Sequence, residues 1–205
     1  MEIAPDTLTP RDMHKLLIGS IVPRPIAWIS TIGANGTTNL APFSFFNGVS
    51  SNPPLLSVSF SYNPDSADHK KDTLRNIEAT GEFVVNVVRE PDERIMHDTS
   101  GAFEASESEI ERFGLTAGPS VTVRPPRVLE SPIQFECSLE RSLPLGEGPG
   151  SSTLVLGRIR HIHVDDTLID DGNRIDPAAL KPIGRLAGNS YCYVHEIFDL
   201  GPRPR

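Results

Sequence analysis

The chain has 205 residues, 38% of them hydrophobic and 22% charged, which is enough to form a single domain with a large core. Its 27 acidic and 19 basic side chains give a formal net charge of −8, which disfavours nucleic acid and anionic membranes as partners. No apolar run approaches the roughly 18 residues needed to span a bilayer, and we find no secretory signal, so we expect a soluble, cytoplasmic protein.

The first predicted elements are a short helix and a β-hairpin. Residues 9–12 (TPRD) combine an N-cap, a proline at the first helical position and an acid in the first turn. Residues 26–32 are rich in β-formers and end just before Asn35 and Gly36, a pair typical of a two-residue hairpin loop. We therefore expect residues 26–32 to pair with a strand that starts near Thr38.

Serines alternate with large apolar residues along the next predicted strand, residues 55–61 (LLSVSFS). Period-two alternation puts the apolar side chains on one face and the hydroxyls on the other. The hydroxyl face comprises Ser57, Ser59 and Ser61. Lys70 and Lys71 follow, just before a predicted helix, so hydroxyls and a cation could together hold a phosphate. The alternative is that the serines and both lysines are simply solvated.

The rest of the chain alternates short helices with strands. Asp72 is expected to be the N-cap of a helix ended by Gly81, which would leave less of the helix start for an anion, and residues 82–88 form a buried strand. Further helices are expected to begin at residues 90–91 and after a capping box at residues 106–109. Additional strands are predicted over residues 134–143, 153–164 and 190–198.

This pattern favours one mainly β domain over residues 1–205, a closed or partly closed antiparallel barrel with short peripheral helices. Neither a G-x-G-x-x-G motif nor a Walker loop is present, which argues against the usual dinucleotide and nucleoside triphosphate sites. Cys137 and Cys192 are expected to be reduced thiols, because disulfides are rare in the cytoplasm.

Residues 39–47 (NLAPFSFFN) have an unusual composition, with three phenylalanines among polar residues and a proline. Pro42 withholds an amide and disturbs strand pairing on either side. Two interpretations remain open. The segment is an edge strand whose aromatic residues fill the core, or it offers an apolar wall and free backbone groups to a flat ligand with a polar edge.

Other chemistries have little support in the sequence. His161 and His163 share a strand face, but no third ligand is signalled, so the pattern favours ordinary strand residues over a metal site. His195 could approach a substrate, with no specific role indicated. There is no nucleophile elbow and no cysteine beside a positioned base. We therefore predict neither a bound metal nor a catalytic side chain.

An ordered set of motifs resembles the flavin reductase-like family of FMN-binding split-barrel proteins. The motifs are PRPIAWIST at 23–31, NLAPFS at 39–44, KDTLRNI at 71–77, GEFVVN at 81–86 and RLAGNSY at 185–191. The likeness covers a core of about residues 15–200. It implies a Greek-key split β-barrel that forms a homodimer, with FMN, or FAD in its place, in a groove near the dimer interface.

Carried over by position, the resemblance implies a set of cofactor-binding residues. They are Trp28, Ser30, Thr31, Asn39, Leu40, Ala41, Pro42, Phe43, Ser44, Ser59, Ser61, Lys71 and Thr73. Residues 39–44 would face the isoalloxazine, and the serines, Lys71 and Thr73 would hold the phosphate. Arg185 and Tyr191 would lie on the substrate side of the flavin, although Ala187 stands where the family has a glycine.

The resemblance implies an enzyme, an NAD(P)H:FMN oxidoreductase. Such a flavin reductase passes hydride from NADH or NADPH to FMN and supplies reduced flavin to an oxygenase or another acceptor. The flavin would do the chemistry, so no acid or base side chain is required. The alternative is a non-catalytic, flavoredoxin-like electron carrier that shares these residues but lacks a nicotinamide site.

Overall fold

The computed structural model describes residues 1–204, and its helices are short and peripheral. They are α1 (Pro10–Ser20), α2 (Asp72–Thr80), α3 (Glu93–Asp98), α4 (Glu109–Arg112) and α5 (Pro177–Leu180). The Thr9 side chain accepts a hydrogen bond from the Asp12 amide, which confirms the predicted cap of α1. No helix in this part of the chain is long and apolar enough to cross a membrane.

The strands dominate the structure, as predicted. They are β1 (Ala27–Ile32), β2 (Thr38–Phe43), β3 (Phe46–Ser51), β4 (Pro54–Ser61), β5 (Glu82–Val87), β6 (Ala117–Gly118), β7 (Arg127–Val128), β8 (Ile133–Leu145), β9 (Ser152–Val164), β10 (Ile183–Arg185) and β11 (Tyr191–Tyr193). Two small pairs, β6 with β7 and β10 with β11, lie outside the main sheet.

Seven strands form one antiparallel sheet in the order β2-β1-β5-β8-β9-β4-β3. Its two edge strands, β2 and β3, are consecutive in the chain and are joined by Ser44 and Phe45 alone. The Ser59 amide of β4 donates to the Phe45 carbonyl over 2.9 Å. Because this two-residue connection holds the edge strands close together, the sheet curls until its edges meet, which confirms the predicted antiparallel split β-barrel with short peripheral helices.

The barrel wall separates two apolar clusters. The interior cluster includes Ile29 and Phe60, and the outer cluster, beneath α3 and α4, includes Trp28 and Leu40. All four side chains are buried. Consecutive residues of β1 therefore point to opposite clusters, as the period of two requires. Because β1 is buried on both faces, its apolar residues stabilise the barrel and its outer helical layer together.

The predicted two-residue hairpin loop between β1 and β2 is wrong. The Gly33 N–H donates to the Thr37 carbonyl over 2.9 Å, so residues 34–36 form a three-residue loop. Gly36 adopts the left-handed conformation with φ +84°, which costs a glycine little. The Asn35 side chain accepts the Thr37 amide over 3.0 Å and closes the turn locally.

Three further element boundaries also differ from the predictions. Helix α3 begins at Glu93 rather than at residues 90–91. Helix α4 is capped by Ser108, whose hydroxyl accepts a first-turn amide, rather than by Ser106. The strand predicted over residues 190–198 is confined to β11. Strands β8 and β9 match their predictions closely, and both cysteines are free thiols, as expected.

Candidate functional site

A groove with a cavity volume of about 410 Å³ lies beside the two-residue connection between β2 and β3. It is surrounded by α1, the end of β2, β4, the start of α2, α3 and the β10–β11 hairpin. The sequence-predicted residues that line it are Pro42, Phe43, Ser44, Ser59, Ser61, Lys71, Arg185 and Tyr191. The fold thus brings these eight predicted residues, which range from position 42 to position 191, to one concave surface.

A second cleft, also of about 410 Å³, adjoins the groove and shares Pro42, Phe43, Lys71 and Ser100 with it. Three further predicted residues, Asn39, Ala41 and Thr73, line this cleft. The Asn39 side-chain amide donates to the Thr73 hydroxyl over 2.9 Å, which ties β2 to the first turn of α2. Lys71 therefore stands at the junction of the two cavities.

The remaining predicted cofactor-binding residues reach neither cavity. They are Trp28, Ser30, Thr31 and Leu40, all fully buried. The Trp28 indole N–H donates to the Thr99 hydroxyl over 2.9 Å, and the Ser30 hydroxyl donates to a backbone carbonyl. The structure places these four side chains behind the groove wall, so we do not retain them as ligands.

The start of α2 corrects the prediction that Asp72 is its N-cap. Lys71 is the N-cap residue, with an extended backbone (φ −73°, ψ 150°), and no side chain of the described residues caps the first turn. Asp72 is the first helical residue, and its carboxylate pairs with Arg75. The first-turn amides and the positive end of the helix dipole are therefore available to an anion.

The two adjacent lysines have different environments. The Lys70 ammonium lies 2.5 Å from the Glu78 carboxylate. Lys71 makes no ion pair within residues 1–204 and lines both cavities. Lys71, the lysine of the KDT motif, is therefore the one without a carboxylate partner among residues 1–204.

Strand β4 confirms the predicted alternation of serines and apolar residues. Its apolar residues are buried in the barrel interior, and they are Leu56, Val58 and Phe60. Ser59 and Ser61 lie on the opposite face and line the groove, whereas Ser57 does not. Two hydroxyls of this face therefore line the same groove as Lys71.

Arg24 also lines the groove, although it was not among the predicted site residues. Its side chain is only 5% exposed, and its guanidinium donates to the Ser44 hydroxyl over 3.4 Å. Its other acceptors, at 2.8–3.0 Å, are the carbonyl oxygens of Ile18, Ile21 and Leu186. Burial, and after it the nearby charge of Arg185, lowers the pKa of Arg24. The only local pattern that marks Arg24 in the sequence is the proline on either side of it.

Arg185, Tyr191 and His97 form a cluster in the groove. The Arg185 guanidinium carbon lies 4.5 Å from the centre of the Tyr191 ring, and one N–H donates to the Tyr191 hydroxyl. That hydroxyl also lies 3.1 Å from His97 Nδ1. The predicted pair is thus brought together, and His97, which the sequence reading missed, joins it from α3. No local pattern marks His97.

The alanine that replaces a family glycine does not narrow the groove. Ala187 is exposed and does not line the cavity. Gly188, not Ala187, has the left-handed backbone, with φ +58°. The glycine that the turn requires is therefore retained.

Fold and groove together define the class of protein. The fold is that of the flavin reductase-like split-barrel proteins. The family model described as "Flavin reductase like domain" matches residues 18–179. The chain belongs to this flavin reductase-like family.

Three similar proteins extend the comparison. Nitrilotriacetate monooxygenase component B from Bacillus cereus has 40% sequence identity and a TM-score of 0.91, over 98% of each chain. The 2-nitrobenzoate 2-nitroreductase NbaA from Pseudomonas fluorescens has 32% identity and a TM-score of 0.87, over 99% of this chain and 96% of its own. A protein of Halalkalibacterium halodurans is 42% identical over 202 residues, 98% of this chain and 95% of its own.

Proposed function

We propose that the protein is an NAD(P)H:FMN oxidoreductase, a flavin reductase that supplies reduced flavin to an oxygenase or another acceptor. The observation that carries this proposal is the convergence of Ser59, Ser61 and Lys71 on a groove whose wall includes Pro42 and Phe43. Hydroxyls and an ammonium suit a phosphate, and apolar side chains suit the face of an aromatic ring. The similarity to a monooxygenase component supports the oxygenase as acceptor.

The start of α2 fits the phosphate of FMN. Lys71 provides a charge that no described carboxylate neutralises, and the uncapped first turn provides amide donors. Helix starts bind phosphate because these amides and the helix dipole act together. Ser59 and Ser61 add hydroxyl donors from the facing strand. The geometry thus supplies the cation and donors that a phosphate monoester needs.

The free edge of β2 fits the polar edge of an isoalloxazine. The Leu40 N–H points away from β1 and donates to the Glu109 carboxylate over 2.8 Å. In an antiparallel strand the backbone groups two residues further on point the same way, so the Pro42 carbonyl also faces outward. Pro42 has no N–H, and its outward carbonyl can accept a hydrogen bond from the ring.

When bound, FMN supplies the hydride-accepting chemistry. The residues of the chain bind and orient it, and no described side chain needs to act as an acid or base. Arg185 and Tyr191 line the same groove as Ser44, which supports our proposal that they contact a second ligand beside the flavin.

We also propose a cytoplasmic homodimer, with residues 1–205 of each chain forming one domain. Helix α1 has no buried residue, and β3 is exposed from Asn47 to Ser51 at a sheet edge. Leu16, Leu17 and Val49 are exposed large apolar residues on these elements. A second copy would cover them. Light scattering should give twice the chain mass of 22.4 kDa, and a mass of one chain would contradict the dimer.

Anaerobic mixing of the purified protein with FMN and either NADH or NADPH tests the activity. We expect bleaching of the flavin absorption band with at least one nucleotide, and FAD should be titrated in parallel to establish the flavin preference. A protein that binds flavin but shows no bleaching with either nucleotide would instead support the flavoredoxin-like electron carrier.

A further inference from the structure

The groove is cationic although the protein is acidic. The chain has 27 acidic and 19 basic side chains, yet no aspartate or glutamate of residues 1–204 lines the groove. The ionisable side chains that do line it, apart from Tyr191, are His14, Arg24, Lys71, His97 and Arg185. Counted by formal charge with histidine neutral, three of these side chains are cations and none is an anion, which favours anionic ligands despite the negative net charge of the chain.

Lys71 and Arg185 both line the groove, but only Lys71 also borders the adjoining cleft. Lys71 borders the cleft that contains Asn39 and Thr73. Arg185 does not line that cleft, and its partners His97 and Tyr191 border another cavity, of about 590 Å³, which neither Arg185 nor Lys71 lines. A phosphate held at Lys71 therefore leaves the cationic group at Arg185 to a second anion.

The neighbouring arginines Arg24 and Arg185 have no carboxylate partner among residues 1–204. The Arg24 side chain donates to carbonyl and hydroxyl oxygens, and it makes no ion pair among the described residues. Arg185 is close enough for its charge to disfavour the charged form of Arg24. Two neighbouring guanidinium groups with no acid between them are stabilised by an incoming oxyanion.

The Arg185 guanidinium is also fixed in place. Its plane is supported by the Tyr191 ring, and two of its N–H groups donate to the Tyr191 hydroxyl and the Gly188 carbonyl. Its other N–H groups have no acceptor among residues 1–204. A held arginine with spare donors loses little entropy when it binds a carboxylate or phosphate.

We propose that Arg185, held by Tyr191 beside His97, binds an oxyanion of the second ligand of the groove. This ligand is either an organic acid that accepts electrons or the nicotinamide dinucleotide that donates them, and the shared chemistry is a carboxylate or diphosphate oxygen. The inference rests on the proposed function, because the second ligand is defined as the one that exchanges electrons with bound flavin.

Ligand-observed fluorine NMR on the FMN-loaded protein tests the site without relying on activity. The probe is 4-fluorobenzoate, and 4-fluorobenzamide is its neutral counterpart of similar shape. We expect the benzoate to bind about tenfold more tightly than the benzamide, the order of a charge-assisted hydrogen bond. Equal binding of the two probes would overturn the proposal.

Variants assign the effect to Arg185. We expect Arg185→Gln to raise the Kd of 4-fluorobenzoate about tenfold. Arg160→Gln is the matched control, because Arg160 is an exposed arginine of β9 outside the groove, and it should leave the Kd unchanged. Tyr191→Phe keeps the ring but removes the hydroxyl, and should raise the Kd by a smaller factor. An unchanged Kd in both groove variants would also overturn the proposal.

Competition with ADP-ribose distinguishes the two sources of the oxyanion. Displacement of 4-fluorobenzoate by ADP-ribose, lost in Arg185→Gln, assigns the residue to the dinucleotide. Retention of the benzoate assigns it to an organic acid acceptor. The NADH and NADPH bleaching assay is a separate test. If the protein binds 4-fluorobenzoate through Arg185 but oxidises neither nucleotide, only the proposed flavin reductase activity is contradicted.

Discussion

Arg24 and Arg185 exchange both of their backbone hydrogen bonds. The Arg24 N–H donates to the Arg185 carbonyl over 3.0 Å, and the Arg185 N–H donates to the Arg24 carbonyl over 2.9 Å. This bridge joins the segment before β1 to β10, two parts of the chain that are distant in sequence. It presents two guanidinium groups to one groove, the first buried in its wall and the second partly exposed.

The buried guanidinium of Arg24 should be important for stability. Arg24→Met would leave three backbone carbonyls without a donor, and we expect the free energy of unfolding to fall by about 2–4 kcal/mol. Arg174→Gln is the control, because its exposed ion pair with Asp170 should be worth under about 1 kcal/mol. Urea unfolding measures both variants, and equal losses would show that the Arg24 contacts contribute no more than a surface pair.

Lys71 should be required for tight flavin binding. We expect Lys71→Ala to weaken FMN binding by about 1.5–3 kcal/mol, the range for a hydrogen bond to a charged group. Lys70→Ala is the matched control, since Lys70 is already paired with Glu78. Fluorescence titration with FMN measures both affinities. If Lys71→Ala binds FMN as tightly as the unmodified protein, Lys71 does not hold the phosphate.

Glu136 should make stability depend on acid pH. Its buried carboxylate accepts hydrogen bonds from the Thr122 hydroxyl, the amides of Val121 and Thr122, and His163. Burial opposes the charged form, but these bonds outweigh it and lower the pKa of Glu136 from 4.5 to about 2. The carboxylate therefore contributes stability that is fully present above pH 4.5 and is lost as the pH falls towards 2.

The size of this effect follows from the pKa of Glu136. A displacement from 4.5 to about 2 corresponds to roughly 3 kcal/mol at neutral pH, of which about 2 kcal/mol is lost by pH 3. Urea unfolding at pH 6 and pH 3 measures the loss. The unmodified protein should lose about 2 kcal/mol more than Glu136→Gln, which cannot ionise. The same pH dependence in both proteins would exclude Glu136 as the source.

Gly157 should tolerate no side chain. A Cβ at this position of β9 would lie 2.4 Å from the Phe83 ring and 3.1 Å from Leu56, both of which are buried. We expect Gly157→Ala to destabilise the barrel by about 1–3 kcal/mol through overpacking. Arg160→Ala is the control, because Arg160 is an exposed residue of the same strand. Thermal unfolding should separate the two, and a similar melting temperature would contradict the overpacking argument.

Features set by short stretches of sequence were predictable. The alternation in β4 places hydroxyls on one face whatever surrounds the strand, and the cap of α1 depends on residues that are three positions apart. The order of motifs was sufficient to identify the split barrel. Local periodicity and motif spacing therefore account for most strands and for the residues around Lys71.

Features that depend on distant partners were not predictable. Arg24 is bonded to Leu186, and His97 meets Tyr191, across separations of 162 and 94 residues. Glu109 was expected in a capping box, but its buried carboxylate accepts the Leu40 amide instead. Burial raises the pKa of Glu109, and this amide opposes the shift. Each of these roles is decided by packing between elements, which a local pattern does not contain.

The closure of the barrel has a consequence for any ligand of the groove. The sheet edges meet at Ser44 and Phe45, and the groove takes residues from both sides of that seam, Pro42 on β2 and Ser59 on β4. A molecule bound in the groove contacts strands on both sides of this seam. Binding there should therefore favour the closed barrel, and a bound ligand should raise the melting temperature of the whole domain.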